Sequence, residues 1–412
     1  GAARSATAND FNTAIGYTAL YSISGSDGTE GEANTAVGYR AGYSTTTGNS
    51  NTFVGKDAGY ANTTGIYNNF FGHGAGQNNT TAVQSTYIGW YAGYHQQVGG
   101  NNVAIGHQTL YGASGKANSA SSNVAVGYQA AYGSEAGAGL VAVGKGALRN
   151  ASDSGSYSVA IGFDSAYYAT GSYNTFVGAE AGKGGQTSAP FSSGTENTAV
   201  GYQAFDAFTS ATYNTTVGMH SLGANTTGNY NTALGHSAMK INTSGGANVA
   251  LGYAAANNLN GGNYNVVIGN GAGYSLGAAA NTVLIGNAAG YAINSTDANG
   301  TIAVGYQALQ DLTSGQNSVA VGYRALADLT TGDYNTAVGY AALDAITTGN
   351  DNTALGWGAG GSTANTTGTN NTFLGASAGL GIINRNDNTF VGYRAGTNIR
   401  AGTQSTIIGS HA

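Results

Sequence analysis

The sequence contains no cysteine, one proline and few charges: only 7% of its 412 residues are Asp, Glu, Lys or Arg. Without cysteine, a disulfide framework and a thiolate metal site are both excluded. The twelve Lys and Arg residues are scattered singly, so no basic stripe exists to neutralise phosphates, and nucleic acid is not an expected partner. No apolar run reaches eighteen residues, so no membrane-spanning helix is expected. Residue 1 is Gly and the only methionines are Met219 and Met239, which suggests a processed chain or a piece of a longer one. The lone proline, Pro190, falls in an expected loop, where a missing N–H costs least.

What the chain has in abundance is glycine, 70 residues of it, spaced with regularity. Glycines that close phrases such as Thr-Ala-Val-Gly occur 23 times, from Gly16 to Gly409, and 15 of the 22 intervals are 17 residues. The longer intervals predict loops inserted near 22–32, 112–121 and 184–195. Counted from this anchor glycine, position −1 is Val, Ile, Leu or Phe in all 23 repeats, position −4 is Asn in 16, and position −7 is Gly in 16.

Short β-branched stretches punctuated by glycine read as one strand plus turns per repeat. So much glycine would weaken a helix by about 1 kcal/mol per residue. The pattern therefore predicts an all-β fold: a parallel β-solenoid, or β-roll, with 17-residue coils, running as one elongated domain over residues 1–412. At about 4.8 Å per coil it would extend on the order of 110 Å. Like positions should stack into columns. Val54, Ile105, Val177, Ile268, Val338, Leu355 and Val391 represent the −1 column, read as the structural core. Asn51, Asn68, Asn214, Asn231, Asn335, Asn352 and Asn388 represent an expected amide ladder. Glycine at −7 is expected in a turn with positive φ.

Two columns also vary together. Wherever −2 is aromatic (Phe53, Phe70, Tyr87, Phe176, Phe373, Phe390), +4 is glycine; where −2 is Ala, +4 is usually bulky, as at Leu20, Phe205 or Leu343. Large against small in both directions implies one shared volume. The strand, however, carries apolar residues at both −1 and −2, which point to opposite faces. One face can look into the coil. The other needs a cover, and a partner chain is the expected one.

The phrases "NSVAVGYRALA" (317–327), "NVAIG" (102–106), "NVAVGYQA" (123–130) and "SVAIG" (158–162) resemble the head repeats of YadA-like trimeric autotransporter adhesins, and are similar to phage tail-fibre repeats of the NTAVGYQAL type. The resemblance implies a left-handed parallel β-roll, a side-by-side homotrimer, and an attachment fibre on a cell surface or a virion.

No catalytic constellation emerges from the residues. Asp27, Glu30 and Glu32 share one inserted loop, Glu180 and Glu196 flank another, and three of the six histidines take the place of tyrosine at +1. A non-enzymatic protein without cofactor or metal is expected. The best candidate for a binding surface is the +1 column: Tyr17, Tyr39, Trp90, Tyr128, Phe163, Tyr202, Tyr253, Tyr306, Tyr323, Tyr340, Trp357 and Tyr393. The function expected is a structural subunit of an extracellular fibre, assembling with itself by trimerisation and end-to-end stacking. The alternative is a phage-fibre shaft or adhesin head that binds a cell-surface glycan or receptor.

Overall fold

The computed structural model describes the chain except residues 1–10, 25–29, 115–117, 151–155, 186–190, 362–365, 383, 398 and 400–402. Pro190, Asp27 and parts of all three inserted loops thus lie outside the described residues. The chain divides into two compact units, Gly1–Ala211 and Thr212–Ala412. Each is a parallel β-solenoid. The first holds eleven three-residue strands, β1 (Thr13–Ile15) to β11 (Thr198–Val200), and the second holds twelve, β12 (Thr215–Val217) to β23 (Thr406–Ile408). No α-helix occurs among the described residues; one 3-10 turn spans Thr296–Ala298.

Within each unit consecutive strands pair in parallel with no slip in register, whatever the loop between them. β19 (Thr336–Val338) sets Val338 opposite Leu355 of β20 (Thr353–Leu355) across 17 residues. β10 (Thr175–Val177) sets Val177 opposite Val200 across 23. Insertions are absorbed in the turns, as a fixed packing frame requires.

Residues 334–350 illustrate how one coil forms. Tyr334, Ala341 and Leu343 adopt φ of 56°, 51° and 52°, and the anchor Gly339 adopts 142°. Four residues of positive φ turn the chain round on itself within one repeat. All 23 anchors share the setting of Gly339, with φ between 130° and 144°, a region that side chains avoid. A Cβ there would also overlap the carbonyl of the next coil's anchor, that of Gly356 in this case.

Among the described −7 glycines Gly31 alone has the expected positive φ, at 68°. Gly48, Gly65, Gly245 and Gly332 do not have positive φ; a Cβ on each would instead press on the carbonyl of the residue one coil on. Close axial stacking explains these glycines, and backbone handedness does not. The left-handed positions −5, +2 and +4 are filled mainly by other residues, at a cost of about 1–2 kcal/mol each that the tertiary context offsets.

The lumen is built from −4, −2, +3, +4 and +7. In this coil Asn335, Ala337, Ala342, Leu343 and Ile346 are buried. The amide ladder uses each asparagine fully. Asn231 donates its backbone N–H and its Nδ2–H to Asn214 Oδ1 (2.9 and 3.1 Å), and Nδ2 also donates to the Gly245 carbonyl at 2.9 Å. Asn231 Oδ1 in turn accepts from the Asn248 N–H at 3.1 Å. The same pattern joins Asn51 to Asn68, Asn335 to Asn352 and Asn371 to Asn388. The buried amides of the −4 column are tolerated because neighbouring rungs pair them, whereas at +7 Asn62 Oδ1 and both side-chain polar atoms of Asn79 are buried without a partner. A second ladder, unforeseen in the sequence, runs through +8 threonines: Thr313, Thr330 and Thr347 each donate Oγ1–H to the carbonyl of the next rung.

The −2 and +4 columns do share one volume. A Cβ on Gly59 would lie 2.6 Å from Phe53 Cδ1, and one on Gly93 would lie 2.5 Å from Tyr87 Cδ2. Where −2 is Ala and +4 is Gly together, at Ala36 with Gly42 and at Ala354 with Gly360, neighbouring coils fill the space: Leu20 and Phe53 at the first, Leu343 and Phe373 at the second. The shared volume therefore spans adjacent coils. The +7 column is buried and mixed: it carries Thr45, Asn62, Asn79, Gln96, Asn225 and Asn242 in some coils and Ile23, Phe208, Leu259, Leu276, Ile293, Leu312 and Leu329 in others.

Candidate interaction surface

Strand alternation decides which columns face outward. Because −2 and −4 enter the lumen, −1 and −3 leave it. The −1 residues read as core, Val54, Ile105, Val177, Ile268, Val338, Leu355 and Val391, are thus outside the coil of their own chain. Leu355 is 49% exposed and Ile105 38%; the other five are half-buried. The lumen of the solenoid belongs to the −2 column. The physical reason is width: a lumen stacked at coil spacing admits Ala, or a bulky side chain such as Phe53 or Leu284 beside glycine, and cannot also take a second bulky side chain from every strand. Each unit consequently presents an apolar stripe of Val, Ile and Leu at −1 beside Thr and Val at −3.

Two aromatic columns border this stripe. The +1 rings are exposed, from 43% at Tyr323 to 67% at Tyr17, with Tyr39, Trp90, Tyr128, Phe163, Tyr202, Tyr253, Tyr306, Tyr340, Trp357 and Tyr393 between those limits. They stack where neighbouring coils both carry a ring. Tyr306, Tyr323, Tyr340 and Trp357 run at centroid distances of 5.1, 4.9 and 6.2 Å. Trp90, His107 and Tyr128 run at 4.4 and 5.2 Å, so the +1 histidines act as rungs of the ladder. The −5 column carries exposed tyrosines, among them Tyr157 and Tyr173 stacked at 5.6 Å and Tyr213 and Tyr230 at 5.0 Å. A third ladder at +5 joins Tyr94, Tyr111 and Tyr132 at 5.2 and 4.9 Å, and Arg149 continues it by lying over Tyr132 and Tyr167.

The −5 and +5 ladders escaped the sequence reading. Their signal was present, since Tyr21, Tyr43 and Tyr60 hold one column and Tyr213 and Tyr230 another. It was diluted because Gln, Asn, Lys and Asp share those positions.

Among the described residues no group of three or more His, Asp or Glu is placed to hold a metal ion. No helix among them is long and apolar enough to cross a membrane. The charged groups form local contacts: Arg40 Nε meets Asp57 Oδ1 at 2.8 Å, and Glu180 accepts from Gln203 at 2.8 Å. Asp206, one coil from Lys183, is the most perturbed acid. Burial pushes its pKa up to about 6, opposed by a hydrogen bond to its own backbone, with nearby Glu180 adding to the rise.

A carboxyl whose folded pKa is raised favours its protonated form in the fold. Its destabilising effect is absent below the unfolded pKa near 4 and grows as pH rises towards 6. With allowance for partial exposure, Asp206→Asn is expected to stabilise the protein by roughly 1–2 kcal/mol at pH 7. At pH 4 it should have no effect. Urea denaturation of both proteins at the two pH values checks this.

No protein-family model and no curated protein matches the chain.

Proposed function

We propose that this protein is the structural subunit of an extracellular fibre on a cell surface or a virion. In this reading three copies lie side by side through the −1 and −3 stripe, and successive trimers stack end to end. It works without catalysis, cofactor or metal. The observation that carries the reading is the outward apolar column: every strand sends a Val, Ile, Leu or Phe away from the lumen, and no second layer among the described residues covers it. Continuous apolar patches of this kind mark interfaces. A second copy of the same stripe matches it rung for rung, because the repeat spacing is identical.

End-to-end stacking is the second step of this reading: a head-to-tail contact that does not close yields a filament. The resemblance to trimeric adhesin heads and tail-fibre repeats is consistent with this arrangement. Light scattering tests the trimer through a mass of three chains, and electron microscopy at high concentration tests the filament. Discrete short particles would remove the second step.

The exposed +1 rings favour a second reading, a shaft or head that holds a glycan or receptor. Loss of glycan-array binding on Trp357→Ala, with fibre assembly intact, is the result expected from it.

A further inference from the structure

The −5 ladder of the second unit lacks a rung. Tyr213 and Tyr230 stack at 5.0 Å with their rings 3° from parallel, so Tyr230 is braced from one side. The next coil carries Ala247 at this position and the one after it carries Tyr264. Tyr230, Ala247 and Tyr264 share one backbone setting, with φ of 61°, 56° and 60°. Two exposed tyrosines are thereby held two coils apart, roughly 10 Å, over a small floor of Gly246 and Ala247. A groove of about 230 Å³ occupies the gap. A flat guest midway would sit about 5 Å from each ring, the spacing at which the ladder's own rings stack.

The polar groups of the groove narrow the guest. Asn229 and Asn263 line it. Each has its Oδ1 committed: Asn229 Oδ1 accepts the Thr212 N–H at 2.7 Å, and Asn263 Oδ1 accepts the Gly246 N–H at 2.7 Å. The locked amides leave Nδ2 as donor at the rim, beside the Ser244 and Thr227 hydroxyls. No charged residue lines the groove. Two aromatic faces with neutral donors and hydroxyls around them suit a ring that has apolar C–H faces and hydroxyls at its edge.

We propose that the groove between Tyr230 and Tyr264 binds one pyranose ring of an uncharged glycan. The site stands on its own geometry, on the column that borders the apolar stripe, and is separate from the +1 ladder. It gives the chain a saccharide contact whether or not the fibre forms.

The missing rung supplies a test variant that the fold tolerates. Ala247→Tyr places a residue already accommodated at Tyr230 and Tyr264 into the same backbone setting, completing the ladder and filling the groove. Tyr264→Ala removes one wall, Trp357→Ala alters only the +1 ladder, and Tyr94→Ala lies on the +5 ladder. The full-length protein and each variant are titrated with cellohexaose, maltohexaose and mannohexaose, followed by saturation-transfer NMR and calorimetry.

At least one hexaose is expected to bind the parent protein. Ala247→Tyr and Tyr264→Ala should weaken it roughly tenfold or more, a loss of about 1.4 kcal/mol, while Tyr94→Ala, on the +5 ladder, leaves affinity unchanged. Absence of binding by all three sugars at millimolar concentration overturns the proposal. So does unchanged affinity in Ala247→Tyr, or loss in Trp357→Ala alone, which would put the sugar on the +1 ladder. Binding of p-cresol in place of any sugar would assign the groove to an aromatic side chain. The light-scattering mass of Ala247→Tyr should equal that of the parent, so failure here is distinguishable from failure of the fibre reading.

Discussion

Replacing Gly339 by alanine is expected to destabilise the protein by roughly 2–4 kcal/mol, read as a fall in the denaturation midpoint. Two independent causes add. Its φ of 142° lies where a Cβ is strained, at about 1–3 kcal/mol. The added Cβ also meets the carbonyl of Gly356, so the coils must part. Parting them weakens the bond that the Gly356 N–H makes to the Val338 carbonyl at 2.9 Å, worth about 1 kcal/mol net. Gly332→Ala isolates the steric cause, because Gly332 does not have positive φ while its Cβ would press on the Gly349 carbonyl. It should cost less, since Ala82 and Ala279 occupy the same column elsewhere. Equal losses in the two variants would mean that stacking alone selects the anchor glycines. Because coils contact chiefly their neighbours, the damage should be local, with faster hydrogen exchange at Val338 and Leu355 before distant rungs respond.

The coil and its register were legible from periodicity because every repeat is a separate trial of one site. The pairing of Val338 with Leu355, the asparagine ladder and the contact between −2 and +4 all follow from columns whose residues constrain one another. What misled was constancy. The −1 column never varies in character, which suggested an interior, yet its invariance reflects an unchanging outward face. The −2 column varies from Ala to Phe with compensation at +4, as only a closed volume demands. Parity also carried information, since the buried amides at −4 share the −2 side of the strand. Positive φ at Tyr334 and Ala341 left little mark in composition, because −5 and +2 carry a side chain in most repeats; at +4, the position of Leu343, glycine alternates with bulky residues according to the −2 side chain. The groove at Ala247 was invisible for a related reason. A single alanine within a variable column looks like noise until its neighbours above and below are both seen to be exposed tyrosines.

The largest effect on assembly is expected from Leu251→Asp together with Leu355→Asp. Both side chains lie on the outward face, 44% and 49% exposed, so the isolated chain can hold the carboxylates in water. Their lumen neighbours Ala250 and Ala354 are untouched, and circular dichroism should not change. In the proposed trimer the same carboxylates would be buried against aliphatic stripes with no partner, which costs several kcal/mol per charge. Light scattering should therefore fall from three chains to one. Ala354→Asp is the contrasting variant: that residue is 1% exposed, inside the lumen, and should cost folding itself. A parent protein with the mass of one chain would end the trimer reading outright. A parent of three chains that keeps its mass in the double variant would move the interface off the −1 stripe, and the exposed +1 and −5 rings would then be the faces that meet.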